Sequence, residues 1–145
     1  MGITTAMSTS FKKELLGGIH DLDTDTIKLA LIKASPTGTY NVTTTNYSDI
    51  TGNTDESSGT NYTAGGVVLA SPSITVVNTT AMVDFANAVF ADVTTATSGC
   101  IVYNFSKAGK ALCVIDFGGT TSAVAGDLTL QFPAVGESTT VIRIA

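Results

Sequence analysis

Three acidic residues, Asp21, Asp23 and Asp25, stand at the alternate spacing that a calcium-binding loop uses for its first carboxylates. An EF-hand loop also needs Gly at its sixth position and Glu at its twelfth, where this chain has Thr26 and Ile32. Aspartate is also common in turns, because its side chain forms local hydrogen bonds with the backbone. We therefore interpret the segment as a turn between a helix and the first strand, and we expect no metal or other cofactor.

Two further carboxylates, Asp84 and Asp116, each stand between apolar residues and could form the acid–base pair of a glycoside hydrolase. In a strand with alternating side chains, however, Asp84 would point toward solvent or the rim of the sheet. His20 is the one histidine of the chain, and no Gly-x-Ser-x-Gly motif accompanies it. We expect no catalytic residues and predict that the protein is not an enzyme.

The two cysteines, Cys100 and Cys113, each lie within an apolar run that resembles a strand. A free thiol in such a run behaves as a small core hydrophobe. If the two runs form a hairpin, the length of the turn at 106–109 decides whether the thiols share a face, so a disulfide remains the alternative. We favour buried thiols, which fit folding in the cytosol.

The composition limits the class of protein and its partners. Of 145 residues, 43% are hydrophobic and only 13% are charged, where a soluble domain carries about 25% charged residues. This excludes disorder and argues against a helical bundle with a charged outer face. With a net charge of −5, we expect no binding to nucleic acid or to an anionic membrane. No apolar run approaches the ~20 residues of a membrane-spanning helix, and we expect no secretory signal.

The elements that must position these residues begin with an N-terminal segment unlike the rest of the chain. Residues 1–9 are predicted to form a polar, irregular arm, and Ser10 to cap a helix from Phe11 to Leu16 that Gly17 and Gly18 end. Two helical turns are unstable alone, so this helix must lie on the sheet or on a neighbouring subunit. We divide the chain into residues 1–20, the arm and short helix, and residues 21–145, a single β-sandwich domain.

From Thr26 onward the hydrophobic period is two, which is typical of strands. Many short runs separated by turn signals predict an antiparallel β-sandwich or jelly roll, because the spacing leaves no room for crossover helices. The predicted strands cover residues 27–31, 67–70, 74–77, 81–86, 89–93, 101–105, 110–117, 128–132 and 141–144. The predicted turns between them include 78–80, 97–99, 108–109, 118–119 and 133–136.

The stretch from Thr39 to Gly66 is polar, and its apolar residues are too sparse to predict much burial. Apart from a possible strand at 40–45, we predict a large surface loop that is functional or mobile and contacts a partner. The core is expected in the second half of the chain. Its predicted members are Phe85, Ile101, Tyr103, Val114, Phe117, Leu130 and Phe132.

Several blocks resemble a family of small virion structural proteins of tailed bacteriophages. The blocks are 3–7, 10–16, 62–66, 128–134 and 142–145, which read ITTAM, SFKKELL, YTAGG, LTLQFPA and IRIA. The resemblance spans nearly the whole chain, although nothing specific matches between Thr39 and Asn61.

The resemblance implies a capsid cement or decoration protein, made in the host cytoplasm and placed on the capsid exterior. Its implied fold is a β-sandwich or jelly roll, and its implied partners are the major capsid protein and further copies of itself, as a dimer or trimer. We expect capsid binding through the arm, the helix and the loop 39–66. The alternative is a head-fibre or tail-associated adhesive module that binds carbohydrate through Tyr40, Tyr47 and Tyr62.

Overall fold

The computed structural model describes residues 2–134, 136 and 140–145. Strands account for 49% of the chain and helices for 11%, so the predicted all-β, sandwich-like fold is confirmed. The elements in chain order are β1 (Gly2–Ile3), β2 (Ala6–Met7), α1 (Thr9–Leu16), β3 (Ile27–Lys33), β4 (Thr39–Tyr40), α2 (Ser48–Gly52), β5 (Val67–Val68), β6 (Ser73–Val77), β7 (Thr80–Asp84), β8 (Ala88–Asn104), β9 (Lys110–Leu130) and β10 (Ile142–Ile144). A 3₁₀ turn at Phe105–Lys107 joins β8 to β9.

The strands form three sheets. The largest has five strands in the order β2-β9-β8-β3-β5, and all its pairs are antiparallel. A three-stranded antiparallel sheet has the order β10-β7-β6, and β1 pairs in parallel with β4. The predicted antiparallel pairing therefore holds for the two larger sheets.

A long hairpin of β8 and β9 dominates the large sheet, where the sequence predicts four shorter strands. The predicted turn at 97–99 is wrong, because Gly99 lies inside β8, where an added Cβ would collide with the carbonyl oxygen of Ile115. The predicted turn at 118–119 is also wrong. Residues 117–120 form a bulge in β9 between the pairs Gly99–Asp116 and Thr97–Thr121, and Gly118 has a φ of 75°. Turn-type residues at this position therefore bend a strand rather than end it.

The part of the large sheet around β3 is buried on both faces. On one face, Phe11 of α1 and Val83 of β7 pack in a cluster with Leu29 and Leu31 of β3. On the other face, the segment between β3 and β5 supplies Tyr40 and Ile50, which pack against the sheet in a second cluster. This two-sided burial explains why residues 29–32 are all 0% exposed although they alternate between faces.

The core therefore extends beyond the second half of the chain. Of the predicted members, Phe85, Ile101, Tyr103, Val114 and Phe132 are buried, while Phe117 and Leu130 are half-buried. The prediction missed the first-half members, which include Phe11, Leu22, Ile27, Leu29, Leu31, Ile32, Tyr40 and Ile50.

The N-terminal residues are part of the sheets, so the prediction of an irregular arm is wrong. Residues 2–3 pair with β4 and residues 6–7 pair with β9, while Met1 lies outside the described residues. The predicted helix is confirmed, but it starts at Thr9 with Ser8 as the N-cap residue instead of Ser10. Phe11 anchors it to the sheet at 0% exposure, whereas Leu16 remains 92% exposed. The predicted turn at 133–136 includes Val135, which also lies outside the described residues.

Candidate functional site

Two of the three aspartates near residue 23, Asp21 and Asp25, make contacts that hold the turn in which they lie. The Asp21 carboxylate accepts hydrogen bonds from the backbone of Asp23 and Thr24, at 3.2 and 3.3 Å. The Asp25 carboxylate accepts from Asn104 at 2.7 Å and lies 3.5 Å from the Lys107 ammonium. Among the described residues, no group of three or more His, Cys, Asp or Glu side chains is arranged to hold a metal ion.

His20 is a buried structural residue that ties α1 to the large sheet. Its Nδ1 lies 3.0 Å from the Asn104 amide nitrogen, and its Nε2 lies 2.9 Å from the Glu14 carboxylate. Lys110 donates to the same carboxylate at 3.0 Å. Burial would raise the pKa of Glu14, but the hydrogen bonds from His20 and Lys110 outweigh it and hold this pKa below its usual value. Both nitrogens of the imidazole therefore have structural partners.

The two aspartates considered as an acid–base pair lie in different sheets, Asp84 in β7 and Asp116 in β9. Asp116 is exposed and its carboxylate accepts a hydrogen bond from the backbone of Gly118 at 3.0 Å. Asp84 is half-buried at the end of β7, and its Oδ1 is buried without a hydrogen-bond partner among the described residues.

The two cysteines are free and buried, so the interpretation as core thiols is confirmed and the disulfide alternative is wrong. Cys100 is 0% exposed and Cys113 is 4% exposed. Burial raises the pKa of Cys100 well above its usual value and that of Cys113 to about 12. Since the thiolate is the reactive form, both side chains are chemically protected in the folded state.

We expect neither thiol to react with an aromatic disulfide reagent at pH 8 while the protein is folded. Both should react as soon as denaturant unfolds the chain, because the pKa then returns to about 8.5. The measurement is the absorbance of the aromatic thiolate released from the reagent, followed against time. In a separate thermal denaturation, adding a reducing agent or a chelator should leave the melting temperature of the protein unchanged. Rapid reaction of one native thiol would show that the hairpin opens locally.

The segment from Thr39 to Gly66, predicted as a loop that buries little, is held firmly by Asp55. This carboxylate is 0% exposed and lies 2.8 Å from the Lys33 ammonium. It accepts hydrogen bonds from the Tyr40 hydroxyl at 2.6 Å and from the backbone of Thr37 and Gly38 at 2.9 and 2.7 Å. Burial opposes its charge, but these donors dominate and hold the pKa of Asp55 well below its usual range.

Glu56 organises the other end of this segment. Its carboxylate accepts hydrogen bonds from the hydroxyls of Tyr47 and Tyr62, at 2.5 and 2.9 Å, and from the backbone of Gly65 at 2.6 Å. The Tyr47 ring also stacks on Tyr103, with ring centroids 4.6 Å apart. Burial and the Glu56 carboxylate raise the pKa of Tyr47 and Tyr62, so both hydroxyls remain donors.

These contacts involve the three tyrosines on which the carbohydrate-binding alternative depends. Tyr40 is only 1% exposed, so the prediction that it lies on a binding surface is wrong. The rings of Tyr47 and Tyr62 are half-buried, and their hydroxyls donate to Glu56.

An apolar groove lies on the outer side of β9. It has a volume of 490 Å³, and none of the described residues that line it is charged. Its apolar lining is formed by Ile115, Phe117, Leu128, Leu130, Phe132 and Val141, and Thr121 also contributes. We call this feature the β9 groove.

The β9 groove runs beside a strand edge. On this side β9 pairs with β2 at Cys113 and Val114, and no other described strand pairs there. The bulge at 117–120 turns the outer half of the hairpin, so Phe117 and Leu128 from its two ends both line the groove. The sequence signal for this site is the Gly118–Gly119 pair, which the sequence analysis assigned to a turn.

The described residues include no helix long and apolar enough to cross a bilayer. In comparisons with known proteins, no protein-family model matches the chain, and no curated protein or solved structure matches it.

Proposed function

We propose that this protein is a non-enzymatic structural protein of a tailed-phage virion, a decoration protein that binds across junctions of the major capsid protein on the capsid exterior. The observation that carries the proposal is the β9 groove, an uncharged apolar groove beside an unpaired strand edge. The resemblance of the N-terminal and C-terminal blocks to phage virion proteins supports the same conclusion.

The chemistry of the β9 groove suits an extended polypeptide. A free strand edge offers backbone donors and acceptors to an added strand, and an adjacent groove receives its side chains. The lining of apolar and Thr side chains binds a protein partner with little cost of desolvating charge. An extended segment of the major capsid protein is the occupant we propose.

The capsid contact that we propose therefore differs from the one expected from the sequence. Residues 2–3 and 6–7 are sheet strands, and the Asp55 and Glu56 contacts order the segment 39–66 within the domain itself. Deleting residues 1–9 would thus remove two strands and the buried Ser8, so a truncation cannot test capsid binding cleanly.

The test is binding of the purified protein to phage heads stripped of their outer proteins, measured by co-sedimentation. Thr121→Lys places a charge in the groove at an exposed position, so the domain should fold with an unchanged melting temperature. We expect the wild type to bind the heads and Thr121→Lys to bind at least about tenfold more weakly, as loss of a desolvated contact predicts.

The matched control is Val124→Lys, a charge on the same strand at a side chain that is 80% exposed and lies outside the groove. It should bind like the wild type. Equal binding by Thr121→Lys would reject the groove as the contact, and failure of the wild type to bind would reject the function.

A further inference from the structure

The edge strand β6 is unusual in that all five of its residues are exposed. Ile74 is 54% exposed, Val76 is 69% exposed and Val77 is 37% exposed, although β-branched apolar residues normally cover a core. Residues 73–83, which comprise β6, its turn and most of β7, include no charged side chain. An exposed, apolar, uncharged strand edge pairs readily with another strand.

Apart from the outer edge of β9, which we assign to the capsid contact, the other sheet edges among the described residues carry features that discourage pairing. β10 carries Arg143, and β5 has only two residues. Bulges, charges and shortness are the devices by which proteins protect sheet edges. β6 has none of them.

The register of β6 makes it complementary to itself. It is joined to β7 by the two-residue turn Asn78–Thr79, and Val77 pairs with Thr80. In such a hairpin the two residues that flank the turn are joined by two backbone hydrogen bonds, and so is every second pair along the strands. In β6 these hydrogen-bonded residues are Val77, Thr75 and Ser73. The N–H and C=O groups of Ile74 and Val76 therefore point outward, to the free edge.

We propose that a second copy of this chain pairs with β6 in antiparallel orientation, about a two-fold axis at Thr75. Ile74 then lies opposite the partner's Val76. The outward-pointing N–H and C=O groups of these two residues form two backbone hydrogen bonds with each other across the new interface. The two three-stranded sheets become one six-stranded sheet.

This arrangement also joins two apolar surfaces. Ile74 pairs with Val83, which in turn pairs with Ile142 of β10. Val76 pairs with Ala81, which pairs with Ile144, so these side chains share one face of the small sheet. A groove of 480 Å³ lies on this face, beside the end of α1. A two-fold axis perpendicular to the sheet puts both copies' apolar faces on the same side, where Ile74 and Val76 cover each other. β6 carries no charged side chain, so pairing two copies places no like charges together on the shared edge. This favours association in a chain whose net charge is −5.

The first experiment uses the isolated protein, so its outcome is independent of capsid binding. Sedimentation equilibrium should give a monomer–dimer equilibrium for the wild type. Val76→Lys should raise the dissociation constant at least about tenfold, because it sets two ammonium groups on the shared edge. Val124→Lys, at a more exposed valine, should leave it unchanged. A wild type that is monomeric at all concentrations, or a dimer that Val76→Lys does not weaken, would overturn the proposal.

The second experiment tests the register. Thr75 faces its own copy across the axis as a non-hydrogen-bonded pair, with Cα atoms about 4.5 Å apart, which is within the range that a disulfide spans. Thr75→Cys should therefore form a covalent dimer under mild oxidation, whereas Val124→Cys should not. The native thiols do not interfere, since both are buried. Equal cross-linking of the two variants would indicate random collision and reject the axis at Thr75.

Discussion

Replacing Asp55 by Asn should lower the free energy of unfolding by about 2–4 kcal/mol, because hydrogen bonds to a buried charged group contribute about 1.5–3 kcal/mol each and several are weakened together. The substitution leaves the Lys33 ammonium without its partner at 2.8 Å. It also sets an amide where the Tyr40 hydroxyl and the backbone of Thr37 and Gly38 now donate to a carboxylate. Urea denaturation at pH 7 measures the effect. Asp23→Asn, at an exposed position in a turn, should change the stability by less than about 0.5 kcal/mol.

The stabilisation by Asp55 should depend on pH in a defined direction. Its pKa is well below the usual range in the folded protein and about 3.9 in the unfolded chain. Between these two values the unfolded state binds the extra proton, so stability falls as the pH falls. The difference in the free energy of unfolding between the wild type and Asp55→Asn should be constant above about pH 5 and should become smaller below about pH 4. A difference that stays constant down to pH 2 would show that Asp55 acts through shape alone.

Phe132→Ala should lower the free energy of unfolding by about 3–5 kcal/mol, because truncating a buried aromatic ring leaves a cavity. Phe132 is 8% exposed and packs against Phe85, with ring centroids 6.3 Å apart and planes inclined by 56°. The measurement is again the free energy of unfolding in urea.

Phe105→Ala is the matched control for this prediction. Its ring is 59% exposed and contacts the Lys28 ammonium 5.0 Å from the ring centroid, so its loss should cost less than about 1 kcal/mol. If Phe132→Ala loses as little free energy of unfolding as Phe105→Ala, Phe132 does not belong to the core.

The sequence predicts the parts of this fold that depend on local periodicity. The alternation in the first half of β8, the helix anchored by Phe11, and the apolar settings of Cys100 and Cys113 all indicate the observed environments. These signals are local, because a strand or helix with one buried face must repeat its apolar residues at that period.

The segment 39–66 could not be predicted in this way, since long-range polar contacts hold it. Asp55 is bonded to Lys33 and Tyr40, and Glu56 to Tyr62, but nothing in the local pattern marks these carboxylates as buried. A polar composition is typical of a mobile loop when its polar groups face water. Here the polar groups satisfy one another, and Ile50 completes a second core.

The β9 groove was missed for a related reason. Glycine pairs occur both at turns and at strand bulges, and only the pairing partner decides between them. Because β8 continues through Gly99, the chain at 118–119 bends without reversing direction. The groove that follows from this bend is a consequence of tertiary pairing.

Electron cryomicroscopy of intact virions most directly tests the proposed function as a decoration protein. The account predicts density for the domain repeated at equivalent positions over the whole outer surface of the head, with the β9 groove against the major capsid protein. Density confined to a single vertex, a fibre or the tail tip would contradict it and would favour the adhesive alternative. Absence of the protein from purified virions would reject both.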